Sequence, residues 1–73
     1  KMGMVKYNAF REMSGNLSYA LALLDQKDNG FIINSVYAKE GGYSYIKEIV
    51  SGESSIELSE EEKAALDKAK SQS

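Results

Sequence analysis

Leu17-Ser18-Tyr19-Ala20-Leu21-Ala22-Leu23-Leu24, then Asp25-Gln26-Lys27-Asp28-Asn29-Gly30, then Phe31-Ile32-Ile33-Asn34-Ser35-Val36-Tyr37 is the stretch whose reading decides the fold. Two β-prone runs flank Lys27-Asp28-Asn29-Gly30. Asn-Gly between such runs is the strongest short-range hairpin signal, because a type I′ turn needs positive φ at both central residues. A helix over Leu17 to Leu24 is the competing reading, since Ala and Leu are good helix formers and Asn16 can cap one. The alternation of Leu17, Tyr19, Leu21 and Leu23 with Ser18, Ala20 and Ala22, together with the turn that follows, decides for strand.

Working outward from that hairpin, Val5-Lys6-Tyr7-Asn8-Ala9-Phe10 alternates well enough for a first strand, with Met2-Gly3-Met4 before it as linker or frayed end. Arg11 to Asn16, carrying Ser14-Gly15-Asn16, reverses the chain into the second strand. The third strand runs from Phe31 to about Ala38, and Gly41-Gly42 is a second two-residue hairpin signal. The fourth, Tyr43 to Val50, stops at Ser51-Gly52, and Ser54-Ser55-Ile56-Glu57 leads on. Ser59-Glu60-Glu61-Glu62 then reads as a capping box opening a helix to about Lys70. The expected fold is α+β: a four-stranded antiparallel meander sheet in the order 1-2-3-4 with one C-terminal helix packed on a face.

Pairing through those two turns groups Leu17, Tyr19, Leu21, Leu23, Val36, Tyr45 and Ile49 on one face. Ala20, Ala22, Leu24, Ile33, Tyr37, Ile46 and Val50 fall on the other. Both faces are apolar, and one helix, using Leu58, Ala65, Leu66 and Ala69, covers one of them, expected to be the larger-residue face. Something must shield the second, because contiguous apolar patches of more than a few hundred Å2 are uncommon on monomers, and a missing N-terminal helix, a second copy or a partner would each do it.

Composition narrows the chemistry. A chain of 73 residues holds one small domain, 1–73, and a domain near that size buries only about 60% of its unfolded surface. With Cys 0 and His 0 there is no disulfide, thiol nucleophile, imidazole base or soft-ligand metal site. The net charge of -2 argues weakly against a general polyanion-binding surface. From Glu53 onward six acids face three lysines, so the acidic part of the chain is its helix. No apolar stretch reaches the roughly 18 residues of a membrane span. The chain opens on Lys1 rather than a methionine, and we read it as part of something longer.

Several short patterns give way to plainer readings. Asp25 to Val36 echoes a calcium loop, but Lys27 stands where a ligand oxygen is needed and Val36 where a bidentate Glu must close the shell. Ser44-Tyr45-Ile46-Lys47 has a Ser-x-x-Lys spacing that works on a helix and points its residues to opposite faces on a strand. Asn16-Leu17-Ser18 is a chance glycosylation sequon. Glu57, Glu60, Glu61 and Glu62 sit where a helix start favours acids regardless of any acid–base role, and Gly41, Gly42 and Gly52 read as turns rather than a phosphate cradle. One surface stands out: Tyr37, Lys39, Tyr43, Tyr45 and Lys47 cluster around the second hairpin, with Arg11 near, as a candidate partner-binding surface. Aromatics and cations on a sheet can anchor a protein interface or stack single-stranded bases, or they can simply form cross-strand pairs.

The chain as a whole resembles a bacterial family known as domain of unknown function 4446. The resemblance is carried by Tyr7-Asn8-Ala9-Phe10, Met13-Ser14-Gly15-Asn16-Leu17-Ser18-Tyr19, Ala20-Leu21-Ala22-Leu23-Leu24-Asp25 and Asn29-Gly30. Tyr45-Ile46-Lys47, Gly52-Glu53-Ser54 and Leu58-Ser59-Glu60-Glu61 continue it. Relatives often carry His-Gly-Arg near Tyr37-Ala38-Lys39, so no imidazole role transfers to that spot. The resemblance implies an N-terminal membrane anchor, a connecting coiled stretch and this soluble domain at the C-terminus, expected on the cytoplasmic side.

The function expected on these grounds is a non-enzymatic protein-interaction or oligomerisation module of a membrane-tethered bacterial protein, without cofactor or metal and with no small-molecule substrate in evidence. A protein partner or a second copy is the expected occupant of the uncovered face, with membrane contact only through the anchor. The alternative is a nucleic-acid-binding module using Tyr37, Lys39, Tyr43, Tyr45 and Lys47.

Overall fold

The structure, a computed structural model, describes residues 1–8, 18–38 and 41–72. They form β1 (Met2–Tyr7), β2 (Ser18–Leu24), β3 (Gly30–Ala38), β4 (Gly41–Ile49) and α1 (Glu60–Lys70). The strands make one open antiparallel sheet in the order β1-β2-β3-β4, and α1 lies across β1 and β2. This is the α+β meander with a C-terminal helix that the sequence predicts. The expected turn over Arg11 to Asn16, the first strand's end at Ala9-Phe10, and Leu17, Lys39 and Glu40 lie outside the described residues.

The central hairpin is closed differently from its sequence signal. Leu24 pairs with Gly30, so five residues, Asp25 to Asn29, connect the strands. The Asp25 carboxylate organises them by accepting from the backbone N–H of Lys27 at 2.8 Å and of Asn29 at 3.0 Å. Asp28 takes the left-handed conformation, φ 64°. Gly30 instead belongs to β3, where a Cβ would collide with the Leu23 carbonyl. Asn29 turns its side chain outward to accept from the Ser51 N–H at 2.8 Å. A true two-residue turn with positive φ at both central positions occurs at Ser51-Gly52, between Val50 and Glu53, which exchange both backbone hydrogen bonds.

An odd-length connection in place of an even one flips the pairing parity of β2 against β3. The faces predicted from a two-residue turn are therefore mixed. Val36, Tyr45 and Ile49 lie with Ala20, Ala22 and Leu24, whereas Ile33 and Ile46 lie with Tyr19, Leu21 and Leu23. The relation between β3 and β4 keeps its predicted parity, although Ala38 pairs with Gly41, so Gly41-Gly42 begins β4 instead of forming the turn. β1 also starts earlier than expected: Met2-Gly3-Met4 pairs with Leu23, Ala22 and Leu21.

The helix covers the small-residue face, against the expectation that it would take the larger one. The core is Ala20, Ala22, Leu24, Ile32 and Ile49 from the sheet with Ala65, Leu66 and Ala69 from α1, flanked by Val5 and Leu58. The reason is close approach. A Cβ on Gly3 would meet the Ala65 carbonyl, the Ala69 N–H and Lys68, so the helix backbone rests directly on β1. Large side chains at Gly3, Ala20 and Ala22 would hold the helix off and leave voids whose lining loses dispersion contacts. The capping box forms as read: Glu62 N–H donates to the Ser59 hydroxyl at 3.2 Å, and Ser59 N–H donates to the Glu62 carboxylate at 2.7 Å.

Candidate functional site

Two features remain once the core is closed, one on each side of the sheet. On the helix side, α1 packs mainly on β1 and β2 and, among the described residues, leaves the far end of β3 and β4 open. A cleft of about 310 Å3 results, lined among others by Tyr7, Asn34, Tyr43, Tyr45, Ser59 and Glu61. Alternation brings these strand residues together: Asn34 pairs with Tyr45 and Val36 with Tyr43, all facing the helix side.

Hydrogen bonds hold its floor. Tyr7 donates its phenol to Asn34 Oδ1 at 2.6 Å, and Asn34 Nδ2 donates to the Tyr45 hydroxyl at 3.2 Å. Asn34 is buried, so this chain satisfies an amide that would otherwise be costly to desolvate. The Tyr43 and Tyr45 rings stack with centroids 6.2 Å apart and planes at 18°. Burial pushes the Tyr7 phenol above its ordinary value, and the nearby Glu61 carboxylate adds to the rise.

Behind the stacked rings sits Lys47. Its ammonium lies 5.4 Å from the Tyr45 ring centroid and donates at 2.9 Å both to Glu62 Oε1 and to the Glu57 carbonyl. Glu62 is fully buried, and its Oε2 has no partner. Burial alone would raise this carboxyl, but the Ser59 backbone N–H and the Lys47 ammonium outweigh it and hold Glu62 below the usual glutamate range.

Of the five residues proposed as a partner surface, the structure brings three together: Tyr43, Tyr45 and Lys47 share the helix-side face, with Lys47 turned inward to Glu62. Tyr37 projects from the opposite face, half exposed, and Lys39 and Arg11 lie outside the described residues. Tyr7, Asn34 and Glu61 complete the cleft and were not anticipated as a group. The polar Asn34 in the middle of an apolar strand was the signal for them. In the Asp25 loop, the calcium-like positions are engaged otherwise, with the Asp25 carboxylate bound to backbone N–H groups.

Among the described residues, no helix lies on the other side of the sheet. Register lays its residues out in three rows across the four strands: Lys6-Tyr19-Ser35-Ser44, Met4-Leu21-Ile33-Ile46 and Met2-Leu23-Phe31-Glu48. Met2, Met4, Tyr19, Leu23, Phe31 and Ile46 are all exposed on it, Ile46 by 65%. Among the described residues, the charges in these rows are Lys6 and Glu48, at diagonally opposite corners.

A family model described as protein of unknown function (DUF4446) matches residues 1–70. The chain belongs to the DUF4446 family. No curated protein and no solved structure matches the chain. In this DUF4446 domain, no group of three or more potential ligands is placed to hold a metal ion among the described residues, and no helix there is long and apolar enough to cross a membrane.

Proposed function

We propose that this DUF4446 domain is a non-enzymatic self-association module, carried in full by a membrane-anchored bacterial protein, and that a second copy packs on the uncovered sheet face. The observation that supports this reading is the face on which Met2, Met4, Tyr19, Leu21, Leu23, Phe31, Ile33 and Ile46 form a contiguous apolar surface, with, among the described residues, the cation Lys6 and the anion Glu48 at opposite corners of its three rows. Its charge arrangement is self-complementary. A grid of four strands by three rows spans about 14 Å by about 13 Å. It is close to square, so a two-fold axis along the uncharged diagonal sets Lys6 of each copy against Glu48 of the other, with strands crossing near a right angle.

The size of the face sets the strength. With its side-chain margins it offers about 400 Å2 per copy, near the largest patch a monomer carries and about half of what a standard stable interface takes per partner. The dimer is accordingly weak and concentration-dependent in free solution. Anchoring copies in one membrane raises their effective concentration and makes weak pairing count.

Light scattering with size-exclusion chromatography across a concentration series tests this. The unaltered domain is expected to shift from monomer toward dimer as concentration rises, and Leu23→Glu and Ile46→Lys to abolish the shift. Tyr45→Glu, on the opposite face, should leave it unchanged. A strict monomer at millimolar concentration, or a dimer insensitive to both substitutions on the face, overturns the reading.

A further inference from the structure

We propose that the cleft between the helix start and the β3–β4 end is a binding site for a cationic side chain, the guanidinium of an arginine in a partner peptide. The cleft lies on the other side of the sheet from the self-association face, so this goes beyond the function proposed above.

Tyr43 and Tyr45 present stacked rings, exposed by 59% and 39%, and a ring face carries negative quadrupole charge that attracts a cation within about 6 Å of its centroid. That preference is already visible within the domain, where the Lys47 ammonium sits 5.4 Å from the Tyr45 ring centroid. Glu61 lines the opposite wall, and among the described residues no ion pair engages it. Asn34 supplies a fixed amide between the hydroxyls of Tyr7 and Tyr45. A planar cation with several N–H donors matches this set: it can lie on a ring and donate at its edge to a carboxylate and to phenol or amide oxygens.

Charge decides between a cation and an anion. The helix N-terminus at Ser59 contributes about half a positive charge. Against it stand Glu60, Glu61 and Glu62 in the first turn. Lys47 neutralises Glu62, and Lys63 approaches Glu60 only at 3.8 Å on the surface. The remaining carboxylate of Glu61 outweighs the helix end; burial is the main cause of the raised Tyr7 phenol, and the Glu61 charge only adds to it. Lys47 does not reverse this sign, because its ammonium is spent on Glu62 and the Glu57 carbonyl. The cleft volume of about 310 Å3 admits one long side chain with adjacent backbone.

Two-dimensional amide NMR on this chain, titrated with N-acetyl-Gly-Arg-Gly-amide, tests the proposal. The expected result is saturable shifts at the Asn34 side-chain amide and at Tyr43 and Tyr45, weakened by added salt. The same peptide with citrulline, isosteric and uncharged, should give no such shifts. Glu61→Gln and Tyr43→Ala, both at exposed or half-exposed positions, should each weaken binding by roughly threefold. Equal response to the citrulline peptide, shifts that map to Met4, Leu21 and Ile46, or no shifts at any peptide concentration overturns it. So does a response of the same residues to a thymidine hexanucleotide and not to the arginine peptide, which would assign the stacked rings to bases. Because the readout is residue-resolved on the helix side, the outcome is independent of whether the opposite face dimerises.

Discussion

The Lys47 ammonium on β4 donates at 2.9 Å to Oε1 of Glu62, a carboxylate with no solvent exposure in the first turn of α1. This pair ties the strand that the helix does not cover to the helix start, and the same Oε1 caps Ser59 N–H. Removing the cation leaves a buried charge with a weakened partner set. Lys47→Met is expected to destabilise by about 3 kcal/mol, and Lys47→Met with Glu62→Leu to recover much of that loss, because the desolvated charge is gone too. Urea unfolding of the three proteins measures both.

Glu62 also gives the fold an acid sensitivity of known sign. Its folded value is depressed, since the Ser59 N–H and Lys47 outweigh the upward push of burial. In the unfolded chain it titrates near the ordinary value, about 4.3. Between the folded and unfolded values the unfolded state binds more protons, so the contribution is fully present above about 4.3 and disappears as pH falls through the lower folded value. Asp25, held down by the N–H groups of Asn29 and Lys27, acts in the same direction. Glu62→Gln should be less stable at neutral pH and show a flatter fall in urea midpoint on acidification. An unchanged slope would remove Glu62 from the account.

Gly3 marks the closest approach of helix to sheet. A methyl group there meets backbone atoms of Ala65 and Ala69, which cannot rotate away. Gly3→Ala is therefore expected to cost about 2 kcal/mol or more, although it adds only one carbon and would otherwise favour a strand. Thermal unfolding should show a lowered midpoint, with Met4→Ala next to it, facing the open side, nearly neutral.

Neighbouring isoleucines on β3 report which face is core. Ile32 is fully buried under the helix, whereas Ile33 is half-buried on the open face. Ile32→Ala is expected to cost about 3 to 4 kcal/mol and Ile33→Ala about 1. Denaturant midpoints at low protein concentration, where self-association does not contribute, make the comparison.

Much of this was legible in the chain. The strand order, the helix from Ser59 and its capping box followed from signals that are local: alternation, turn residues and Ser-x-x-Glu spacing. Where reading failed, the cause was a local signal with two possible uses. Asn29-Gly30 satisfies a two-residue turn on paper, but here Asn29 accepts from Ser51 and Gly30 makes room for the Leu23 carbonyl. One odd-length loop then reversed the faces of β2 relative to β3. The cleft was half legible: Tyr43 and Tyr45 were singled out, while Tyr7, Asn34 and Glu61 come from three different elements and meet only in space.

What the sequence by itself determined is the set of elements, because hydrogen bonding to near neighbours and side-chain period are properties of short segments. The pairing register, the choice of the Gly3, Ala20 and Ala22 face for the helix, and the exposure of the larger residues opposite were decided by tertiary structure. Those choices depend on how closely two backbones can approach, and that distance is set jointly by residues as far apart as Gly3 and Ala69.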